Sequence, residues 1–216
     1  CEEEHSRKRI VLTGGPGAGK TAVLELIRQY FCVHVRVLPE SASILFGGGF
    51  PRGNDSGSKR AAQRAIFYVQ RELERGADDG GKPAIVLCDR GTVDGSAYWP
   101  GPGELWPEVG TTREDELRRY DAVLHLRTPG EGAGYDRSNP VRIESAVEAR
   151  ALDERILTAW EGHPRRFVVE SEIDFLEKAH RAVELLRGEL PPCCRRHMLP
   201  GESEPGGSSR ETDAGR

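Results

Sequence analysis

The sequence predicts an α/β fold built on a doubly wound, five-stranded parallel sheet. Three observations predict it. Five short apolar or β-branched runs recur along the 216 residues, separated by stretches with helical spacing of apolar side chains. The runs are near-continuously apolar, as in Ala84–Cys88 (AIVLC), which suits strands covered on both faces. A glycine-rich octapeptide ending in Lys-Thr stands between the first run and the first helical stretch.

The elements follow in order. Arg9–Thr13 (RIVLT) is the first strand, and residues 20–31 form a helix with Val23, Leu24, Ile27, Tyr30 and Phe31 on one stripe. Val33–Leu38 is the second strand. A helix over 60–75 directs Ala62, Ile66, Val69 and Leu73 inward, and Ala84–Cys88 is the third strand. Thr111-x-x-Glu114 and Ser145-x-x-Glu148 have capping-box spacing and each open a helix, the second continuing through Leu152, Ile156 and Trp160. Asp121–Leu126 and Arg166–Val169 complete the sheet. The last helix covers 172–187, with Leu176, Ala179, Val183 and Leu186 facing the core. Residues 1–8 are expected to be flexible, 9–190 to form one domain, and 191–216, with Pro-Pro and Gly-Gly-Ser-Ser, to be disordered.

Composition excludes several classes. With 31 basic and 35 acidic residues the net charge is −4, which argues against bulk nucleic-acid binding. No apolar run reaches transmembrane length, and Cys1–Arg9 lacks the apolar core of a signal peptide. Five cysteines without framework spacing fit a reducing, cytoplasmic setting, with Cys32 and Cys88 read as buried thiols. Cys193, Cys194 and His197 bring three metal-ligand types together; adjacent cysteines need help from elsewhere to form a tetrahedral site, so a metal or redox role stays a minor alternative. The 26 glycines cluster, which predicts mobile loops at 47–59 and 129–140 in the absence of nucleotide.

The octapeptide is Gly14-Gly15-Pro16-Gly17-Ala18-Gly19-Lys20-Thr21, a complete G-x-x-x-x-G-K-[ST] phosphate loop of P-loop NTPases. Such a loop turns successive backbone N–H groups toward an anion, helped by the positive end of the next helix. Lys20 is expected at the β- and γ-phosphates of ATP or GTP, and the Thr21 hydroxyl on Mg²⁺. Asp89, ending the third strand, is the Walker B carboxylate that would hold Mg²⁺ directly or through water. Arg90, followed by Ser96 and Tyr98, resembles the Asp-Arg…Ser-x-Ala-Tyr pattern of thymidylate-kinase-like enzymes, in which the arginine stabilises the transferring phosphoryl group. Asp94 reads equally as a substrate contact or a turn-closing residue. Glu40, after the second strand, is placed to orient or deprotonate an acceptor hydroxyl. Gln63 and Arg64 read as acceptor-pocket residues or as an exposed helix face. Arg127–Arg155 resembles a phosphate lid, with glycines 130, 132 and 134 allowing movement and Arg137, Arg142 and Arg150 available to close on the triphosphate. No N/T-K-x-D guanine-reading motif occurs.

Taken together, VLTGGPGAGKT, LPESA, QRAIFYVQRELE, CDRGTVDGSAYW, YDAVLHLRTP and NPVRIESAVEARALDERILTAWEGHP resemble the AAA_28, or nicotinamide-riboside-kinase-like, P-loop family over about residues 8–190. That family includes the kinase part of a bacterial NAD regulator and the eukaryotic TRPL translocation defect protein. The resemblance implies a P-loop kinase-like fold, ATP or GTP binding and Mg²⁺, and leaves the acceptor open. Two expectations follow. The first is a small-molecule kinase with a nucleoside-like or other hydroxyl acceptor, in which Lys20, Arg90 and Arg142 stabilise the transition state. The second is a nucleotide-dependent module recognising phosphoinositides or a protein partner, suggested by the family's eukaryotic branch and by Arg165-Arg166 and Arg195-Arg196.

Overall fold

The computed structural model describes residues 5–79, 83–129, 146–171 and 175–192. Five strands, β1 (Lys8–Thr13), β2 (Val35–Leu38), β3 (Ile85–Asp89), β4 (Ala122–Leu126) and β5 (Arg166–Val169), form one sheet in the order β2-β3-β1-β4-β5, and every pairing is parallel. Order and crossovers make the doubly wound sheet predicted from the alternation of apolar runs and helical stretches. All five strands were legible because each is short, apolar and bounded by polar or glycine-rich sequence. The second begins two residues late. Val33 is 90% exposed and stands outside the ladder.

The three central strands, β3, β1 and β4, bury both faces, whereas β2 exposes Arg36 and β5 is mostly half-buried. Ile10, Leu12, Ile85, Leu87, Leu124 and Leu126 meet α1 (Lys20–Tyr30) and α7 (Phe175–Glu189) through Val23, Leu24, Ile27, Ala179, Val183 and Leu186. Val11, Val86, Cys88 and Val123 point the other way, onto Phe67 of α3 (Ser56–Asp79) and Ile156 of α6 (Ala146–Ala159), with Trp160 just beyond it. This two-sided burial is why the central strands read as continuous apolar runs.

Several helical expectations change. α3 runs to 24 residues, and its buried stripe is Ala62, Phe67, Gln70, Glu74 and Ala77, while Ile66, Val69 and Leu73 are half-buried. An apolar-only count misses that stripe because two of its members are polar. Glu74 accepts from Gln70 Nε2 at 2.9 Å and from the Tyr120 hydroxyl at 2.8 Å, which satisfies the buried carboxylate. The cap of α5 (Arg113–Leu117) is Thr112, whose hydroxyl accepts from Asp115 N–H, one residue later than the expected Thr111. α7 turns Ala179, Val183 and Leu186 inward as expected, but Leu176 is 70% exposed. Cys88 is buried, whereas Cys32 is only half-buried. Three short elements went unpredicted: α2 (Ser41–Gly47), a 3₁₀ helix (Thr92–Tyr98) and α4 (Leu105–Val109). None is long enough to show a helical period. No described helix is long and apolar enough to cross a membrane.

Candidate functional site

The phosphate loop joins β1 to α1 at the C-terminal edge of the sheet, where open parallel sheets bind ligands. Gly19 precedes α1 with φ +93°, a left-handed conformation that favours glycine, and a Cβ there would lie 2.6 Å from Phe175 Cε2. Gly15 is required by close approach: a Cβ would lie 2.5 Å from Thr128 Oγ1 and 2.8 Å from Asp153 Cβ. Thr128, just past β4, and Asp153 of α6 thus press against the loop. Asp153 Oδ1 accepts from Gly15 N–H at 2.8 Å and contacts His125 Nε2 at 2.9 Å, while Arg127 Nη1 stands 3.0 Å from Asp153 Oδ2. Burial works to raise the Asp153 carboxyl, but the His125 contact, the Gly15 N–H and Arg127 together hold it below the ordinary range.

Four of the residues singled out in the sequence come together here. Lys20 Nζ folds back across the loop, donating to Gly14 O at 2.8 Å and Gly15 O at 3.0 Å. Burial first, and then the nearby Arg90, bring its pKa down to about 7 against the opposing pull of Asp89, Glu40 and Asp94. Asp89 ends β3 beside Leu12 of β1, and its Oδ1 is buried with no hydrogen-bond partner. Burial, and then Glu40, push its pKa up to about 6. Arg90 has φ +69°, the only positive φ at a non-glycine among the described residues. Its Nε donates to Glu40 Oε1 at 2.7 Å, its guanidinium lies 5.6 Å from the Tyr98 ring centre, and its Nη1 is buried without a partner. Burial disfavours the charge, yet Tyr98, Glu40 and Asp94 hold Arg90 firmly protonated. Glu40 also accepts from Ser43 Oγ at 2.5 Å; burial alone would raise its carboxyl, and Arg90 with Ser43 brings it below the usual range. It stands at the N-cap position of α2 without capping it, because its side chain turns to Arg90. Thr21 is exposed in the first turn of α1.

Asp94 closes a turn and also lines the cavity described below. Its Oδ1 accepts from Thr13 Oγ1 at 2.5 Å and Trp160 Nε1 at 3.1 Å, and its Oδ2 from Gly91 N–H at 2.9 Å. Beneath the 3₁₀ helix, Thr92 donates to Glu116 at 2.7 Å and takes the Tyr120 hydroxyl on its N–H at 2.8 Å. These bonds fix the segment that follows Arg90 and leave the arginine facing the loop.

Against this cluster opens a cavity of about 390 Å³, reaching from Pro16 and Arg90 to α2 and α3. Phe46, Ile66, Phe67 and Tyr98 supply apolar wall, and Glu40, Arg52, Gln63 and Gln70 supply polar groups. Gln63 therefore lines the cavity, whereas Arg64 pairs with Glu108 at 3.2 Å on the surface. Phe46, Arg52, Phe67 and Gln70 were not singled out in the sequence. The i, i+4, i+7 spacing of Gln63, Phe67 and Gln70 was the available signal. Arg137 and Arg142 of the expected lid, glycines 130, 132 and 134, and Cys193, Cys194 and His197 lie outside the described residues. Arg150 is exposed on α6.

A family model described as an AAA domain, AAA_28, matches residues 9–178. The chain belongs to that family. No curated protein matches this AAA_28 chain in sequence. Among solved structures it is similar to a deoxyadenosine kinase from M. mycoides with bound dATP, at TM-score 0.58 and 14% identity, covering 83% of this chain and 99% of that one. It is also similar to the thymidylate kinase of Candida albicans, at TM-score 0.51 and 13% identity, covering 85% of this chain and 94% of that one. At such identities the likeness is one of fold, and the fold is that of the P-loop kinases.

Proposed function

We propose that this chain is a kinase that transfers the γ-phosphoryl group of ATP or GTP to a hydroxyl of a nucleoside-sized small molecule, with Mg²⁺. The observation that carries the reading is the cavity lined by Pro16 of the phosphate loop together with the Glu40–Arg90 pair. Its volume falls within the range of small-molecule sites, and it mixes apolar wall with a few polar groups. In the proposed reaction the acceptor oxygen bonds to the γ-phosphorus while the bond from that phosphorus to the β–γ bridging oxygen breaks, and the nucleoside diphosphate leaves. Lys20 and the free Nη1 of Arg90 stabilise charge on the transferring group. Glu40, held ionised, accepts the hydrogen bond of the attacking hydroxyl and takes its proton. Thr21 and Asp89 would hold Mg²⁺, and the unpartnered buried oxygen of Asp89 suits that hard cation. Bound there, the metal would neutralise developing phosphate charge.

A panel of nucleosides, nucleoside monophosphates and sugars tests the reading by coupled ADP release. At least one acceptor should raise release about 100-fold over hydrolysis, and Glu40→Gln should lower kcat by about 10²-fold with little change in KM for ATP. Silence across the panel, with Lys20→Met still abolishing nucleotide binding, would leave a nucleotide-binding module instead. The phosphoinositide form of that alternative gains no support among the described residues: Arg165 pairs with Glu189 and Arg166 donates to Leu157 O at 2.7 Å. Arg195-Arg196 lie outside the described residues.

The lowered pKa of Lys20 carries a second expectation. With a free-protein value of about 7, most Lys20 is neutral near pH 8, and a triphosphate placed against it restores the charge. Binding near pH 8 should take up a proton fraction of about 0.5 to 1, so affinity should rise as pH falls from about 9 to 7. Calorimetry in two buffers of different ionisation enthalpy measures this. Equal heats in both would refute it.

A further inference from the structure

The cavity against the phosphate loop has two ends. At one, Glu40 and Arg90 pair at 2.7 Å, and Pro16 of the loop shares the lining; the attacking hydroxyl would stand here. The other end lies along α2. Phe46 follows Glu40 by six residues, about 9 Å at the rise of an α-helix. There the guanidinium carbon of Arg52 lies 4.2 Å over the centre of the Phe46 ring. Ser41 donates to Gln70 Oε1 at 2.5 Å, which ties the start of α2 to α3 and holds this wall in place.

Four charged side chains line the cavity: Glu40, Arg52, Arg90 and Asp94. Three have partners within the protein. Glu40 takes Arg90 and Ser43, and Asp94 takes Thr13, Trp160 and the Gly91 N–H. Arg52 differs. It makes no ion pair and no hydrogen bond among the described residues, and its contact is with the Phe46 ring. It is also exposed, so a ligand reaches it without breaking a protein contact first. A guanidinium stays charged at any working pH and offers N–H donors in a fork that matches a carboxylate or a phosphate. Its contact with the ring restrains it beforehand, which lowers the entropic cost of meeting an anion.

We propose that the phosphoryl acceptor is anionic: it carries a carboxylate or a phosphate at the end remote from its attacking hydroxyl, and Arg52 receives that group. The inference rests on the reading of this cavity as the acceptor site and names the chemical class of the acceptor. A span of about 9 Å between the two ends suits a hydroxyl and an anion at opposite ends of one nucleoside- or sugar-sized molecule. Glu40 does not repel such an anion strongly, since Arg90 neutralises it and that distance is close to the screening length of physiological salt.

The test uses pairs of acceptors that share a primary hydroxyl and differ in the anion: 5-carboxyuridine with its carboxamide, adenosine 3′-monophosphate with adenosine, and fructose 6-phosphate with fructose. Coupled ADP release and thermal melts of the full chain read transfer and binding separately. In at least one pair the anionic member should have the higher kcat/KM by about tenfold or more, chiefly through KM. Which pair responds tells carboxylate from phosphate. Arg52→Gln removes the charge at an exposed position and should bring that pair to within about threefold, and Arg52→Glu should reverse its order. A preference for the neutral member in every pair overturns the proposal. So does an anion preference that Arg52→Gln leaves standing, or the lack of both transfer and melting shift across all six compounds. The two levels of the argument fail differently. An anionic member that raises the melt through Arg52 yet releases no ADP keeps the anion site and sinks the kinase reading. Transfer to neutral members alone keeps the kinase reading and overturns this one.

Discussion

Arg90→Met is expected to lower kcat for phosphoryl transfer by about 10³-fold or more, with KM for ATP changed by less than about threefold. The guanidinium is already immobilised: Nε is held by Glu40 at 2.7 Å and the plane lies near Tyr98, while Nη1 has no protein partner. A preorganised donor aimed where charge develops acts on the transition state more than on the ground state. Lysine would not substitute, because a single ammonium cannot bridge Glu40 and a phosphoryl oxygen in one plane. The backbone offers an internal control. Arg90 carries φ +69°, a conformation disfavoured for any residue with a Cβ. Arg90→Gly and Arg90→Met both remove the partner of Glu40, but only the glycine relieves the backbone, so Arg90→Gly should be the more stable of the two by about 1 kcal/mol while losing transfer as completely. Steady-state kinetics beside thermal melts read both quantities. A kcat loss below tenfold, or one matched by the loss in ATP affinity, would remove Arg90 from the transition state.

Asp153→Ala is expected to destabilise the fold by about 3–5 kcal/mol, the range for breaking a buried ion pair by deleting one partner. Asp153 is 1% exposed, and its removal leaves His125 Nε2 and the Gly15 N–H without their partner and takes from Arg127 one carboxylate, leaving it Glu154. In a chain of this size that corresponds to a fall in Tm of roughly 6–20 °C. Nucleotide affinity should fall beyond what unfolding explains, because Gly15 loses the bond that fixes the loop. The pH dependence has a definite sign. The folded carboxyl sits below its unfolded value, so its stabilisation is complete above about pH 4 and is lost as the pH falls through the folded pKa. Parent and Asp153→Asn should accordingly differ in stability near pH 7 and converge in acid. A gap that stays constant with pH would mean that the charge of Asp153 is immaterial and only its shape matters.

Legibility in the sequence followed the range of the interactions involved. The phosphate loop was readable because its chemistry is contiguous: nest, lysine and hydroxyl lie within eight residues, between an apolar run and a helical stripe. Asp89 and Arg90 were readable from their place at the end of a buried strand, and Glu40 from its place after the second. Phe67 and Gln70 went unread because their significance depends on the opposite walls, which α2 and the 3₁₀ helix supply. Asp153 lies 138 residues beyond Gly15 and resembled any acidic residue of a charged helix. Leu176 was assigned to the core because its spacing continues the apolar stripe of α7, and period alone does not register where the neighbouring helix ends.

The amino-acid sequence by itself thus determined the α/β class, the five strands, the phosphate loop and a carboxylate–arginine pair at the end of a central strand. Each is a local pattern: hydrophobic period, glycine spacing, or position relative to a strand end. Only the tertiary structure decided that Asp94 bonds Gly91 and Trp160 at the cavity wall, that Arg90 meets Glu40, that Asp153 holds the loop, and that a cavity opens where α2, α3 and the 3₁₀ helix converge. The physical reason is that a hydrogen bond or an ion pair is decided by separations of about 3 Å in space. Burial then fixes which of the many charged side chains must find a partner, and which are left free to meet a ligand.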